Sequence, residues 1–310
     1  MRAIATTDFG APATLVEVPE PEPAEGELLV RVAASSINGF DLSVAKGVLK
    51  GMMEHRFPVV LGKDFAGTVE GTGPGVDDFT VGDRVFGVIM KPELCDGCFG
   101  ELVATPAAFA AKVPEELDIA TAGVLGLAGT AAHDAVDAVE PQPGDTVLVS
   151  GATGGVGVIA VQLLKARGAH VIATAATEEE MAFVRDHGAD EVVDYRGDLA
   201  AAVRETQPDG IQAALHFAGD AAQLAALVAP NGRLASTLGL RAEQLERDDL
   251  TVVTVMANPV TATLAQVADG AAAGAIRVPI QRTYRLDDVP QGLADFAAGK
   301  LGKLGVGIQG

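Results

Sequence analysis

The stretch from Val147 to Gly168, VLVSGATGGVGVIAVQLLKARG, reads as a strand that passes through glycines into a helix. Such a turn points helix N-terminal N–H groups at the end of a strand, where they can hold a phosphate. The segments beyond it repeat the alternation. HVIATA, EVVDY, AALHFA, GRLAST and LTVVTVM are short apolar strands between Ala-rich helical stretches. Strand–helix alternation of this kind implies βαβ units and a doubly wound parallel sheet, an α/β fold class.

The glycine turn has two possible registers. Gly155-x-Gly157-x-x-Ala160 satisfies the G-x-G-x-x-G/A pattern but lies one step inside the helix. Ala152-x-Gly154-x-x-Gly157 places the turn directly after the strand and is preferred. It puts Gly154 where backbone must approach a pyrophosphate and Gly157 where helix packs on strand. A P-loop is excluded, because no Gly-Lys-Ser/Thr follows.

The next strand bears on the choice of dinucleotide. An NAD site usually carries Asp or Glu about 20 residues on, bonded to the ribose 2′-hydroxyl. Here the strand ends Ile172-Ala-Thr-Ala-Ala-Thr177, with hydroxyls and no acid. Glu178-Glu179-Glu180 follows, but Thr177-x-x-Glu180 is a capping box and the run suits a helix N-terminus. NADP is therefore favoured.

Residues 1–119 have another texture, β-rich and loop-rich, with strands expected over 27–33, 67–71 and 83–89. After Asn258 come a helix at 261–274, a strand near Ile280, a helix over 287–299 and a terminal strand at 303–308. The formal net charge is −20, from 22 Lys and Arg against 42 Asp and Glu. No basic cluster suits a nucleic-acid backbone, so nucleic acid is not an expected partner. No apolar run reads as a bilayer span or a signal peptide, so a cytoplasmic protein without a membrane partner is expected. Two cysteines, Cys95 and Cys98, argue against a disulfide framework.

Several ordered motifs extend over nearly the whole chain: Ser36-Ile-Asn38-Gly-Phe-Asp41, Pro58-Val-Val-Leu-Gly62-Lys-Asp64-Phe-Ala-Gly67, Val81-Gly-Asp83-Arg-Val-Phe-Gly87, Gly100-Glu-Leu-Val, Leu127-Ala-Gly-Thr130-Ala-Ala-His133, GATGGVG, the run His187–Tyr195 and Gly299-Lys-Leu-Gly-Lys303. In these the sequence resembles the zinc-independent quinone oxidoreductase branch of the medium-chain dehydrogenase/reductase superfamily. The resemblance implies a GroES-like β-rich catalytic domain over 1–119, completed by 259–310, and a Rossmann domain over 120–258 that binds NADPH. Carried over by position, Asn38 and Thr130 would lie near the nicotinamide and its phosphate. Ala152, Thr153, Gly154, Gly155 and Val156 would hold the pyrophosphate, and Thr174, Tyr195 and Lys303 would surround the 2′-phosphate. Phe217, Ala218, Gly219, Leu238 and Gly239 would line the far side. Where relatives often carry Lys in a T-x-x-K stretch, Glu180 stands here, so NADP binding would lean on Thr174, Thr177, Arg196 and Lys303.

Zinc-dependent cousins take a Cys and a His where this chain has Asn38 and Lys63, and an ammonium is not a zinc ligand. Catalysis without metal is expected, with Asn38, Asp41 and Lys63 as the candidate catalytic groups. Met52 and His55, in a loop over the expected cleft, are candidate substrate contacts. The expected reaction is hydride transfer from NADPH to a quinone or an enone or enal C=C bond. The alternatives are an enoyl-thioester or polyketide-tailoring reductase, and a non-catalytic NADPH-binding sensor. By the resemblance, the strand over 250–256 would pair with a second copy in a homodimer.

Overall fold

In the computed structural model, which describes residues 1–308, the strand Glu27–Ile37 organises the N-terminal part of the chain. One of its edges takes Asp64–Thr72; the other takes Leu102–Pro106 near its start and Lys303–Gly307 at its end, all antiparallel. Leu28, Val30 and Val32 alternate inward and are buried, while Arg31 between them is exposed. That period of two is what an antiparallel sheet with one buried face requires. The pairing opposes Ala34 to Ala66 and Ser36 to Gly305. This register brings the ends of three strands together, and with them Asn38, Asp64 and Lys303. The helix Gly39–Ala45 starts at the same place, with Asn38 as its N-cap.

The chain divides into two compact units. One comprises Met1–Leu127, Pro259–Ala272 and Pro279–Gly310, the other Ala128–Asn258 and Ala273–Val278. The division falls at 127/128, inside the helix Ile119–Val139, rather than at the expected 119/120. A continuous helix leaves no linker at that point.

The second unit contains a six-stranded parallel sheet. Its spatial order is Glu191–Val193, His170–Thr174, Thr146–Ser150, Ile211–His216, Val228–Ser236 and Thr251–Thr254. Chain order reverses between Thr146–Ser150 and Ile211–His216, the topological switch point at which doubly wound sheets bind ligands. Leu148, Ile172, Ile211 and Leu234 from four adjacent strands share one buried cluster with Val203 and Leu224.

The helix Ile119–Val139 corrects one expectation. It is long and apolar enough to cross a membrane, with mean hydropathy 1.2, although no such segment was expected from the sequence. Its hydropathy comes from Ile, Val and Leu among alanines, and 67% of the apolar window is buried inside the protein. A Cβ on Gly123 would lie 2.7 Å from Ala34 Cβ, so the helix lies directly against the sheet. This is the packing of a core helix.

Candidate functional site

The turn after Thr146–Ser150 is built around two glycines. Gly151 has φ +80°, a left-handed conformation that favours glycine. A Cβ on Gly157 would stand 2.2 Å from Gly151 O and 2.7 Å from Ala152 Cα, which holds the helix Gly155–Ala166 against the turn. Gly154 is the N-cap, and a Cβ there would meet nothing closer than Gly151 O at 3.4 Å. The first face of this turn is therefore open and the second closed. Gly155 and Val156 open the helix, and Ala152 is fully buried beneath it. The closed glycine, the open N-cap and the helix start fit the diphosphate of a dinucleotide.

Beside the turn lies a pocket of about 290 Å³ at the switch point, lined by Ser150, Thr153, Thr174, Tyr195, Ala218 and Gly219, among others. Five of the expected cofactor residues thus meet at one cavity. Two residues without an expected role shape its wall. Ser150 Oγ donates to Ala218 O at 2.6 Å, and His216 lies between Ser236 Oγ, 2.9 Å from Nδ1, and Gly219 O, 3.1 Å from Nε2. The only sequence signal for them is their position at strand C-termini.

Thr174 is placed at the pocket, but its hydroxyl is engaged. It accepts from Gly151 N–H at 3.1 Å and donates to Val149 O at 3.4 Å, bracing the glycine turn. Thr177 caps the helix Glu178–Asp186 by accepting from Glu180 N, while Glu180 Oε2 accepts from Ala176 N at 2.6 Å and Thr177 N at 3.2 Å. The capping box is therefore formed. Arg196 donates to Ala176 O and Asp194, and the guanidinium beside Asp194 holds that carboxyl below its usual range. Tyr195 is exposed at the pocket rim, and Leu238 and Gly239 lie exposed after Val228–Ser236. Phe217 is half-buried, and Thr130 is fully buried in Ile119–Val139.

In the first unit, Lys303 departs from its expected place. It is 2% exposed; its ammonium donates to Asn38 Oδ1 at 2.6 Å and lies 3.6 Å from Asp64 Oδ2. A cation so enclosed by its own strand partners is not presented to a 2′-phosphate. Asn38 is committed as well. Its Nδ2 donates to Asp64 Oδ2 at 2.9 Å and lies within reach of Ser36 O and Oγ. Asp64 also accepts from Ser36 Oγ and from Leu127 N. Asn38 is thus the centre of a buried polar network, with Asp64 and Ser36 as further members, Ser36 without an expected role.

Asp41 is 2% exposed and accepts from Asn38 N at 2.8 Å and Gly62 N at 3.1 Å. Burial raises its carboxyl to about 7, against the pull of those N–H groups. Lys63 is half-buried, donates to Ile89 O, and stands 4.7 Å above the Phe40 ring. Burial lowers the pKa of its ammonium.

Met52, a candidate substrate contact, is 76% exposed. His55 packs between Phe9 and Phe57, with Nδ1 on Met53 O at 2.8 Å and a buried, unpartnered Nε2. Cys98 is fully buried, which pushes its thiol well up, and burial also raises Cys95.

Residues 24–115 match the family model of the alcohol dehydrogenase GroES-like domain, and residues 155–266 that of the zinc-binding dehydrogenases. The chain is similar to the quinone oxidoreductase from Coxiella burnetii, with TM-score 0.92 and 26% identity, over 100% of this chain and 99% of that one. A mycobacterial protein solved in complex with NADPH is 30% identical at TM-score 0.87, over 99% of this chain and 100% of its own. The chain belongs to the quinone oxidoreductase branch of the medium-chain dehydrogenase/reductase superfamily. This member is also 40% identical, over 208 residues, to the mycocerosic acid synthase-like polyketide synthase of Mycobacterium tuberculosis. The match takes 66% of this chain but spans only 10% of that synthase.

One of the two matched families is described as zinc-binding, and zinc takes Cys, His or carboxylate donors. Position 63 offers an ammonium, and the Asn38 carboxamide is bonded on both sides. Among the described residues no three His, Cys, Asp or Glu side chains gather as a metal site would need.

Proposed function

We propose that this protein is an NADPH-dependent reductase that transfers hydride to a quinone or to the activated C=C bond of an enone or enal, without zinc. The observation that carries the reading is the glycine turn, closed at Gly157, open at Gly154 and set beside a pocket at the sheet's switch point. NADPH is favoured because no carboxylate on the strand His170–Thr174 faces a ribose, and because Glu180 is held by its own helix cap. The NADPH-bound relative supports the same choice.

When bound, the cofactor supplies the hydride. The chain contributes the rest. Backbone N–H groups from Thr153 to Val156 hold the diphosphate against a net charge of −20, using fixed dipoles in place of cations. Thr174 keeps the turn in shape through Gly151 N, and His216 fixes Gly219. In the catalytic unit, Asp64 and Lys303 orient Asn38, while Lys63 and Asp41 are the groups able to hold or move a proton. Negative charge developing on the acceptor oxygen would be met by Lys63 rather than by a metal.

The test is titration with NADPH and NADH, followed by a screen of quinones, enones and enoyl thioesters with whichever binds. Tighter NADH binding would sink the NADPH assignment. Turnover of thioesters alone would favour the second reading, an enoyl-thioester reductase, which the identity to a polyketide synthase supports. Binding of NADPH without oxidation by any acceptor would favour a sensor.

A homodimer is part of the proposal. Thr251–Thr254 is an edge strand, and Met256 just after it is 81% exposed. Such an edge has backbone groups free to pair with a second copy. A solution mass of one chain would contradict it.

A further inference from the structure

We propose that Asp41, Lys63 and one water held between them form the route by which the proton of the reduction enters the catalytic unit from solvent. This inference rests on the reductase reading above and supplies the proton source that hydride transfer alone lacks. Asp41 and Lys63 both line a cavity of about 20 Å³, the size that holds a single water. Lys91, Glu93 and Asp96 line the same cavity, and Glu93 and Asp96 are 32% and 39% exposed, so the cavity communicates with bulk water. The rest of the lining is largely apolar, including Val44, Val59 and Ile89, which confines the polar path to these groups.

The surroundings bring the two proton affinities together. Burial raises Asp41 to about 7 and lowers Lys63 from its ordinary value, so Asp41 holds a proton near neutral pH that a deprotonated Lys63 can take up. Asp64 and Lys303 on neighbouring strands also act on Asp41, the first raising and the second lowering it; Cys98 lies close enough to feel its charge. The helix Val289–Ala298 packs against the helix that carries Asp41, but its Asp295 is turned to Tyr284 and Arg282.

The reaction balances as one hydride and one proton per acceptor. The hydride would come from bound NADPH, whose C–H electron pair would form the C–H or O–H bond on the acceptor with NADP⁺ as the oxidised product. Lys63 protonates the oxyanion produced, recovers a proton from the Asp41 carboxyl through the water, and Asp41 is recharged from solvent.

Two measurements on the full chain test the route. Carboxyl ¹³C shifts followed against pH, with Asp41→Asn for assignment, are expected to show Asp41 titrating near 7. Titration in the ordinary carboxylate range would overturn the proposal. In turnover, Val59→Ile adds a methyl group at the cavity wall and leaves both polar groups in place. It should lower kcat about tenfold and raise the solvent deuterium isotope effect, with NADPH affinity unchanged. Asp41→Asn should do the same at least as strongly. Unchanged kcat and isotope effect in both variants would overturn the route. If wild-type protein reduces no acceptor, the functional reading fails, and the titration still decides whether Asp41 holds a proton.

Discussion

Lys303 Nζ donates to Asn38 Oδ1 at 2.6 Å, joining residues 265 positions apart. Through Asn38 Nδ2 the same amide reaches Asp64, so one carboxamide links a buried cation to a buried anion. Such a pair adds little stability compared with apolar packing, but loss of one partner leaves the other uncompensated. Lys303→Met should therefore cost about 3–5 kcal/mol of unfolding free energy. Adding Asp64→Asn to it should cost less than the two single changes summed, because the orphaned charge is gone. Denaturant unfolding of the three variants reads the coupling. Strict additivity would mean that the network is not a unit.

The glycine turn offers a pair of substitutions with opposite signatures. Gly157→Ala would force a methyl group to 2.2 Å from Gly151 O and should cost about 3 kcal/mol or more. Gly154→Ala meets nothing within 3.4 Å and should leave the thermal midpoint nearly unchanged. It does place a methyl group on the open face of the turn, so NADPH affinity should fall about tenfold or more. Calorimetry and cofactor titration on both proteins separate stability from binding. Equal NADPH affinity in Gly154→Ala and wild type would move the diphosphate elsewhere.

Asp41 makes stability depend on pH in a defined direction. Its folded carboxyl titrates at about 7, above the ordinary 3.8, so the folded state binds more protons between those values. Its contribution is fully present below about 4 and is lost as pH rises towards 7. Wild type minus Asp41→Asn should therefore decline by up to about 4 kcal/mol across that window and flatten above it. Unfolding curves at stepped pH measure the difference, and a flat difference would show that Asp41 is not held protonated.

Local periodicity explains why so much of the fold could be read in advance. TVLVS and HVIATA are strands because apolar β-branched runs end at glycine or a helix cap, and those signals lie within a few residues. The glycine register was legible for the same reason, since Gly157 must lack a Cβ within its own turn. Lys303 was not. Its surroundings are set by the pairing of Lys303–Gly307 with Glu27–Ile37, a contact between the two ends of the chain that no local pattern encodes. Ser36 was passed over likewise, because a buried network is defined by register and not by spacing. Ile119–Val139 misled in the opposite direction: its Gly, Thr, His and Asp residues interrupt the apolar run of a helix that the structure largely buries.

Glu180 provides the sharpest handle on cofactor choice. Its carboxylate accepts from Ala176 N and Thr177 N, the two N–H groups at the end of the second strand, and so occupies donors that a 2′-phosphate could use. Arg196 donates to Ala176 O at the same point but shares its charge with Asp194. Glu180→Gln keeps the helix cap largely intact and removes one negative charge, at a stability cost of about 1 kcal/mol or less. It should raise NADPH affinity severalfold while leaving NADH affinity nearly unchanged. Arg196→Ala should act in reverse, weakening NADPH and sparing NADH. Parallel titrations of both cofactors against the two variants decide the matter. If both variants shift NADPH and NADH by the same factor, the adenosine 2′-position does not lie at the end of the strand His170–Thr174, and the basis for preferring NADPH is lost.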